Sequence, residues 1–344
     1  MGYGMIIHEV FLFCTLFMIV VGGVTILDTA MWEVRVIKAI EYIEINNSKQ
    51  CVSIRSRKPD NPILLYLHGG PGDAAMPLVT KYNKGLEDIF TVVIPEQRGA
   101  GKSYYPFSET DNITIDTFVE DICTLSKILL ERYKQDKLYL VGHSWGSVLG
   151  MKFIKRYPNL VHTYVGCGQV VNMKKSSQNA LDFALQKNIE NKNSKVIDRL
   201  KSINCSYTQE TWLNDLLFVT KQVIKHGGSL YGKTNFNRFV FDFLFSSDYT
   251  LKELINRQKG SLQSIKYLWH ELMDVDFEKI TEYDVPVIFA QGRGDYQVSS
   301  VLVNDYFETI KTAKQFFWFE NSCHFPQWSE PKKFYEVMKS IAVV

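Results

Sequence analysis

Residues 138–150 read LYLVGHSWGSVLG, and this stretch decides the fold. An apolar run at residues 138–141 precedes the letters GHSWG at residues 142–146, and a helix-like pattern then continues to Pro158. This order predicts a strand, a sharp turn and a helix, with Ser144 at the apex of the turn. The positions two before and two after the serine must lack side chains, because strand and helix would otherwise collide. The spacing therefore indicates an exposed nucleophile.

Strands and helices alternate on both sides of this motif. A hairpin is predicted at residues 41–55, where apolar residues alternate around an Asn-Asn-Ser turn. Short apolar runs predict further strands at residues 63–67, 91–94, 161–171, 285–290 and 315–319. Apolar residues at helical spacing predict helices at residues 115–133, 301–310 and 332–341. This alternation predicts a mostly parallel sheet with helices on both faces.

Residues 172–281 interrupt the alternation of strands and helices. They are rich in Lys, Asn, Gln and Ser, and their helix-like stretches are residues 180–185, 212–224 and 251–257. We therefore expect an inserted helical cap at residues 172–281. The cap would divide the core into a first part at residues 33–171 and a second part at residues 282–344.

The N-terminal region contains an almost unbroken apolar run at residues 10–27, close to the minimum length for crossing a bilayer. A cleaved signal peptide normally has a basic leader, whereas the leader MGYGMIIHE contains no Lys or Arg. A buried core helix would show a polar face, and this run has none. Residues 1–32 are therefore predicted to be a single-pass membrane anchor. Arg35 and Lys38 follow the run, which favours a cytoplasmic catalytic portion.

The composition argues against several other classes of protein. The net charge is +2 and no basic stripe occurs, so nucleic acid is not the expected partner. The six cysteines are scattered, without C-x-x-C pairs or Cys/His metal spacing. We therefore expect neither a metal nor a cofactor, while the oligomeric state is left open.

A serine hydroxyl needs a base at hydrogen-bonding distance, and the base needs an orienting carboxylate. Later in the chain than a nucleophile turn of this kind, the acid comes first and the histidine second, each at the carboxyl end of a strand. Asp295 follows the strand predicted to end at residue 290, and His324 follows the strand predicted to end at residue 319. His324 is also the only one of the seven histidines that lies after Asp295. The expected catalytic residues are thus Ser144, Asp295 and His324.

The oxyanion that forms when serine attacks a carbonyl needs two preorganised N–H donors. The backbone N–H of Trp145 follows the nucleophile directly and is the first expected donor. The loop after the strand at residues 63–67 contains two glycines, and we assign the second donor to Gly70. His68 and Arg98 in neighbouring loops are interpreted as structural residues.

Three motifs follow one another along the chain: HGGPG at residues 68–72, QRGAGKS at residues 97–103 and GHSWGS at residues 142–147. In this order they resemble the proline iminopeptidase (prolyl aminopeptidase) family of α/β-hydrolases. The resemblance covers residues 41–171 well and residues 285–344 acceptably. It implies the α/β-hydrolase fold with an inserted helical cap.

The resemblance also implies an activity. Members of this family remove an N-terminal residue, often proline, from peptides through an acyl-enzyme. On this basis Ser144, Asp295 and His324 form the triad, and Gly70 and Trp145 form the oxyanion hole. The expected partners are short peptides or small amide and ester substrates.

The chain departs from the family pattern at two positions and leaves its substrate-binding residues open. The family usually has Asp where this chain has Glu96, and often Gly where it has His143. Family members bind the substrate amine with cap carboxylates, whose local sequence patterns do not occur here. The candidates are Glu210, Asp215, Glu253 and Glu271, although a solvated helix face would also explain each of them.

Two other functions are compatible with parts of this pattern. A carboxylesterase or another small-molecule hydrolase would use the same triad beneath an apolar cap pocket without a carboxylate. A membrane-tethered binding protein on the same scaffold would need a broken triad, and none of the three residues is missing.

Overall fold

The computed structural model describes residues 36–342. The strands in this part of the chain are β1 (Ile37–Ile45), β2 (Ser48–Ser56), β3 (Ile63–Leu67), β4 (Thr91–Pro95), β5 (Leu138–His143), β6 (Val161–Cys167), β7 (Val287–Gly292) and β8 (Lys314–Phe319). They form one sheet in the order β1-β2-β4-β3-β5-β6-β7-β8. The strands from β3 to β8 pair in parallel, and β2 pairs antiparallel with both β1 and β4. The predicted, mostly parallel sheet is confirmed.

The helices in the same part of the chain are α1 (Met76–Tyr82), α2 (Ile115–Tyr133), α3 (Trp145–Arg156), α4 (Met173–Glu190), α5 (Ser194–Lys201), α6 (Trp212–Lys225), α7 (Asn237–Leu244), α8 (Leu251–Met273), α9 (Ser300–Thr309), α10 (Pro326–Ser329) and α11 (Pro331–Ile341). Five of them, α4 to α8, lie between β6 and β7, in the segment for which a cap is predicted. The exact boundaries of that cap remain a prediction.

The sheet is covered on both faces, as its sequence requires. Every residue of β3 is buried, which is typical of parallel strands with helices on both sides. Ile63, Leu65 and Leu67 belong to the apolar cluster that contains residues of α2 and α3. Leu64 and Tyr66 point the other way, into the cluster with residues of α1 and α11. The alternation along one strand therefore builds two cores.

The hairpin of β1 and β2 turns through two residues with positive φ, Asn46 (46°) and Asn47 (60°). This geometry matches the right-handed twist of the strands, and asparagine tolerates it well. The hairpin continues the sheet beyond β4 through antiparallel pairing of β2.

Three predicted elements, β6, α4 and α8, differ most from their predicted bounds. β6 ends at Cys167 instead of residue 171, because Gly168 has φ +52° and turns the chain out of the sheet. The apolar residues that follow instead pair with a later segment, where the Phe277 N–H donates to the Val171 carbonyl. α4 and α8 are much longer than their predicted stretches, because interleaved polar residues hide their apolar period.

The predicted membrane anchor at residues 1–32 lies outside the described residues. Within residues 36–342, no helix combines the length and the apolar character needed to cross a bilayer.

Candidate active site

Ser144 lies at the turn between β5 and α3 with φ +54° and ψ −119°, a conformation that non-glycine residues rarely adopt. Its N–H donates to the carbonyl of Cys167 on the neighbouring strand at 3.0 Å. A side chain at Gly146 would overlap the carbonyl oxygen of Leu67, and one at Gly142 would overlap the carbonyl oxygen of Gly146. The two glycines therefore permit the close packing that holds the serine at this turn.

The structure brings Ser144, His324 and Asp295 into one chain of hydrogen bonds. His324 Nδ1 lies 2.9 Å from Asp295 Oδ2, and His324 Nε2 lies 2.9 Å from Ser144 Oγ. A carboxylate can only accept, so Nδ1 carries the proton. Nε2 then has a free lone pair and accepts from the serine hydroxyl. This arrangement can deprotonate the serine during attack on a carbonyl.

Asp295 is fully buried, yet its carboxylate is well supplied with donors. Oδ1 accepts from the backbone N–H groups of Gln297 at 2.9 Å and Val298 at 3.3 Å. Oδ2 accepts from the side chain of Gln291 at 3.0 Å in addition to His324. These donors orient the carboxylate and stabilise its charge away from water.

A loop of the cap segment joins the two loops that carry Asp295 and His324. The His324 N–H donates to the Ser229 carbonyl at 3.1 Å, and the Tyr296 N–H donates to the Gly228 carbonyl at 3.0 Å. The Gln297 side chain also donates to Ser229 Oγ at 2.6 Å. Residues 227–229 therefore help to position His324 and Asp295, a role that no local sequence pattern indicates.

His143 supports the His324 backbone. Its Nε2 lies 3.0 Å from the backbone carbonyl of His324, so Nε2 carries the proton and donates. Burial holds the pKa of His143 well below its usual value, and the ring is therefore neutral. Its Nδ1 has no hydrogen-bond partner among the described residues. His143 is thus a positioning residue beside the relay.

We expect His143→Leu to lower kcat about tenfold with little change in KM, because the His324 loop loses one donor and shifts relative to Ser144. His143→Gln keeps an N–H donor in the side chain and should recover part of the loss. Steady-state kinetics of both variants checks this expectation. Equal losses in the two variants would instead point to a packing role for the ring.

The predicted oxyanion donors, Gly70 and Trp145, belong to the loop after β3 and to the start of α3. Trp145 is the first residue of α3, so its N–H has no acceptor within the helix. Gly70 has φ +131°, and a Cβ built on it would come within 2.6 Å of the Asp73 nitrogen. Gly69 and Gly70 line the same cavity as Ser144. The assignment of Gly70 and Trp145 as oxyanion donors remains a prediction.

His68 braces the loop that carries these glycines. Its Nε2 accepts from the Gln97 N–H at 3.0 Å, so Nδ1 carries the proton and donates to the Gly69 carbonyl at 2.8 Å. Burial lowers the pKa of His68 to about 4, which keeps the ring neutral. The Gln97 side chain also accepts from the Trp145 indole at 2.8 Å and thereby joins this loop to the nucleophile helix.

Arg98 holds its own loop and does not reach the cavity. Its guanidinium donates from Nε and Nη2 to both carboxylate oxygens of Asp121 on α2, at 2.9 and 2.8 Å. It also donates to the carbonyl of Asn46 at 3.1 Å. The two-point contact connects the hairpin turn, the loop and the helix, which is a structural role.

Glu96 is a fully buried carboxyl between the core and the cap segment. It accepts from the Tyr249 hydroxyl and from the Lys102 N–H. Burial nevertheless raises the pKa of Glu96 to about 7, because the carboxylate is removed from water. The Tyr249 hydroxyl lies in the loop between α7 and α8, so Glu96 fastens that loop to the core.

The Glu96 pKa predicts a pH dependence of stability. The pKa of Glu96 is 4.5 in the unfolded chain and about 7 in the folded chain. Between these two values the folded chain retains a proton that the unfolded chain has lost. The free energy of unfolding should therefore fall as pH rises through this window, by about 3 kcal/mol, and then level off. Urea unfolding of Glu96→Gln at about pH 5 and pH 8 should show a smaller difference than the parent. The exposed Glu210→Gln serves as the control, and an unchanged difference in Glu96→Gln would contradict the assignment.

Ser144 and His324 lie at the wall of a cavity of about 400 Å³. Its apolar lining comes mainly from α1, α7 and the segment after β8, with Leu78, Phe236, Phe239, Val240, Phe243, Phe325 and Trp328. Among the residues that line it in the described part of the chain, Asp73 is the one carboxylate and Arg257 the one strong cation. Arg257 Nη2 lies 2.6 Å from Asp73 Oδ1. The cavity thus combines the Ser144 hydroxyl, aromatic walls and one ion pair.

The four cap carboxylates considered from the sequence do not line this cavity. Glu271 accepts from the Ile115 N–H at the start of α2, and Glu253 lies 3.3 Å from the Lys102 ammonium. Asp215 accepts from the Thr211 hydroxyl, and Glu210 is exposed to solvent. Asp73 takes their place in the cavity. Asp73 directly follows the HGGPG motif. Its place in the cavity becomes visible only in the folded chain, where it pairs with Arg257, a residue far away in the sequence.

A family model described as alpha/beta hydrolase fold matches residues 62–331. The probable aminopeptidase YbaC of Bacillus subtilis (strain 168) is 31% identical over 304 residues, which cover 88% of this chain and 95% of that protein. A proline iminopeptidase of Saccharolobus solfataricus is 27% identical over 303 residues, covering 82% of this chain and 85% of the relative. The crystal structure of a proline iminopeptidase from Mycobacterium smegmatis superposes with a TM-score of 0.64 at 17% identity, over 88% of this chain and 97% of that one.

Proposed function

This chain belongs to the α/β-hydrolase fold family, with relatives named as aminopeptidases and proline iminopeptidases, and we propose that it is a serine aminopeptidase. The observation that carries the proposal is the hydrogen-bonded chain of Ser144, His324 and Asp295 at the wall of a cavity that contains the carboxylate of Asp73. Its substrates would be short peptides, from which it releases the N-terminal residue.

In the proposed acylation step, Ser144 Oγ attacks the carbonyl carbon of the first residue while His324 Nε2 takes the hydroxyl proton. Asp295 stabilises the imidazolium, and the N–H groups of Gly70 and Trp145 donate to the new oxyanion. The tetrahedral intermediate then collapses. His324 gives its proton to the departing amine nitrogen, and the first residue stays on Ser144 as an ester.

Deacylation repeats these steps with water as the nucleophile. His324 removes a proton from the water, whose oxygen attacks the ester carbonyl, and the same donors receive the oxyanion. When this intermediate collapses, the proton returns to Ser144 Oγ and the free amino acid leaves. The enzyme is then ready for another cycle, and no cofactor takes part.

Restriction to the first residue requires an anion that holds the substrate ammonium at a set distance from Ser144. Asp73 fits this role, because it lies directly against Gly70 and its Oδ2 forms no hydrogen bond within the described residues. Oδ1 is occupied by Arg257 and by the Ala74 N–H at 2.9 Å. Arg257 in turn stacks on Phe243, with its guanidinium carbon 4.1 Å from the ring centroid, which restrains the ion pair.

The proposal is tested with three matched classes of substrate and the purified full-length protein. Prolyl and alanyl amides of a chromogenic amine should be cleaved. Their N-acetylated forms, which have no ammonium group, should react at least about a hundredfold more slowly. Activity that is confined to short acyl esters would remove the peptidase assignment.

The alternative is a carboxylesterase with the same triad. The aromatic walls of the cavity favour it, since they suit an apolar acyl group as well as an amino acid side chain. Equal rates on free and N-acetylated substrates, together with faster cleavage of esters than amides, would support the esterase.

We also propose that residues 1–32 anchor the protein in a membrane, with the catalytic portion on the cytoplasmic side. The apolar run at residues 10–27 and the basic residues that follow it support this. The full-length protein should stay with the membrane fraction after an alkaline carbonate wash, whereas a variant without residues 1–32 should be released. Protease that digests the catalytic portion in intact cells would contradict the orientation.

A further inference from the structure

The cap segment has an apolar surface that the described part of the protein leaves uncovered. The side chain of Phe245 is 83% exposed and that of Leu251 is 72% exposed. Phe241 and Ile255 are each 56% exposed, and Val240 is 51% exposed. These residues lie on two consecutive helices, α7 and α8, and in the loop between them. Large apolar patches on a protein surface mark sites of interaction.

Lysines accompany the apolar residues on the outer face of α8. Leu251, Ile255 and Leu262 are exposed, and so are Lys252, Lys259 and Lys266. With successive residues about 100° apart around a helix, all six fall within an arc of about 100°. The leucine and isoleucine side chains occupy one edge of this arc and the lysines the other edge.

The acidic residues of the same segment point inwards and are paired. Asp242 contacts Lys81, Asp248 lies 3.1 Å from Arg55, and Glu253 lies 3.3 Å from Lys102. Within the described residues, Lys252, Lys259 and Lys266 form no ion pair with a carboxylate, so the outer face carries a positive charge. An apolar strip beside a row of lysines is the pattern of a helix that lies on an anionic bilayer.

We propose that this outer face of residues 240–266, the α7–α8 face, docks on the surface of a lipid bilayer that contains anionic lipids. Phe245 and Leu251 would enter the boundary between headgroups and acyl chains, and the lysines would contact lipid phosphates. The sequence supplies an independent reason to choose a bilayer as the occupant, because the chain carries its own apolar run at residues 10–27.

Docking would also orient the cavity. Val240 and Gln258 are exposed to solvent and line the cavity that contains Ser144. The mouth of the cavity would therefore open next to the membrane, and amphipathic substrates concentrated at the bilayer surface would have a short path to the nucleophile.

The test places a photoreactive diazirine amino acid at position 245 of the full-length protein. A matched control carries it at position 301, where Val301 on α9 is 65% exposed. After irradiation with vesicles of phosphatidylcholine and phosphatidylglycerol, mass spectrometry should find lipid adducts at position 245 at least about tenfold more often than at position 301. Adducts between two copies of the chain, or equal lipid labelling at both positions, would overturn the proposal.

Charge reversal gives a second measure. Lys252→Glu, Lys259→Glu and Lys266→Glu together should lower the adduct yield at position 245 by up to about a hundredfold, because each lysine near an anionic surface contributes severalfold to binding. The control reverses three exposed lysines outside the face, Lys192, Lys195 and Lys201, and should leave the yield unchanged. Hydrolysis of a small soluble amide should be equal in both triple variants, so failure of docking is distinguishable from failure of the proposed activity.

Discussion

Ser144→Ala should lower kcat/KM on a prolyl or alanyl amide by about 10⁵-fold, because the variant has no atom that can form the acyl-enzyme. The fold should be retained, since within the described residues the hydroxyl of Ser144 forms a hydrogen bond with His324 alone, and its backbone N–H stays bonded to Cys167. Rate measurement must be combined with a fluorophosphonate probe, which labels an activated serine. The parent should be labelled and Ser144→Ala should not.

Ser261→Ala is the matched control for this experiment. Ser261 lines the same cavity but is not part of the hydrogen-bonded relay with His324. Its variant should keep both the probe label and most of the activity. Labelling that persists in Ser144→Ala and disappears in Ser261→Ala would contradict the assignment of the nucleophile.

Asp73→Asn should lower kcat/KM on substrates with a free N-terminal amine by about a hundredfold, because the substrate ammonium loses its charged partner. The loss should appear mainly in KM if the ammonium contact is equally strong in the ground state and the transition state. N-acetylated amides and acyl esters should react at nearly the parental rate, since they carry no ammonium group. Parallel kinetics on the free and the acetylated substrate measures the difference.

The substitution of Asp73 also leaves Arg257 without its ionic partner, so a second variant is needed. Asp73→Asn combined with Arg257→Gln removes both charges and should keep the selective loss on amine substrates. Glu271→Gln is the control for a carboxylate that does not line the cavity, and it should retain the preference for free amines. Recovery of the parental preference in the double variant would show that the stray guanidinium, and not the missing carboxylate, caused the loss.

The turn around Ser144 could be predicted because its constraints are local. A side chain at Gly146 would overlap Leu67, and one at Gly142 would overlap Gly146 within the turn itself. The same steric limits apply wherever a strand meets a helix this closely. The bounds of α2 could also be predicted, because its apolar residues repeat at the helical period. The predicted bounds agree with Ile115–Tyr133.

The pairing of Asp295 with His324 follows from chain order and sheet topology. Both residues come after strands whose carboxyl ends lie at one edge of a parallel sheet, so the order of residues in the sequence is enough to place them near Ser144. The placement of residues at this edge could therefore be predicted from the sequence.

The lengths of α4 and α8 could not be predicted from the sequence, because polar residues on their exposed faces obscure the apolar period.

The amino-acid sequence by itself determined the sharp turn at Ser144, the parallel sheet and the order of the three hydrogen-bonded residues, because local sterics and strand periodicity govern them. Only the tertiary structure decided that Asp73, and not a carboxylate from the cap, lines the cavity, and that Ser229 holds the His324 loop. These contacts join residues that are far apart in the chain, such as Asp73 and Arg257, and they depend on how the cap helices pack over the sheet. No local pattern of residues encodes that packing.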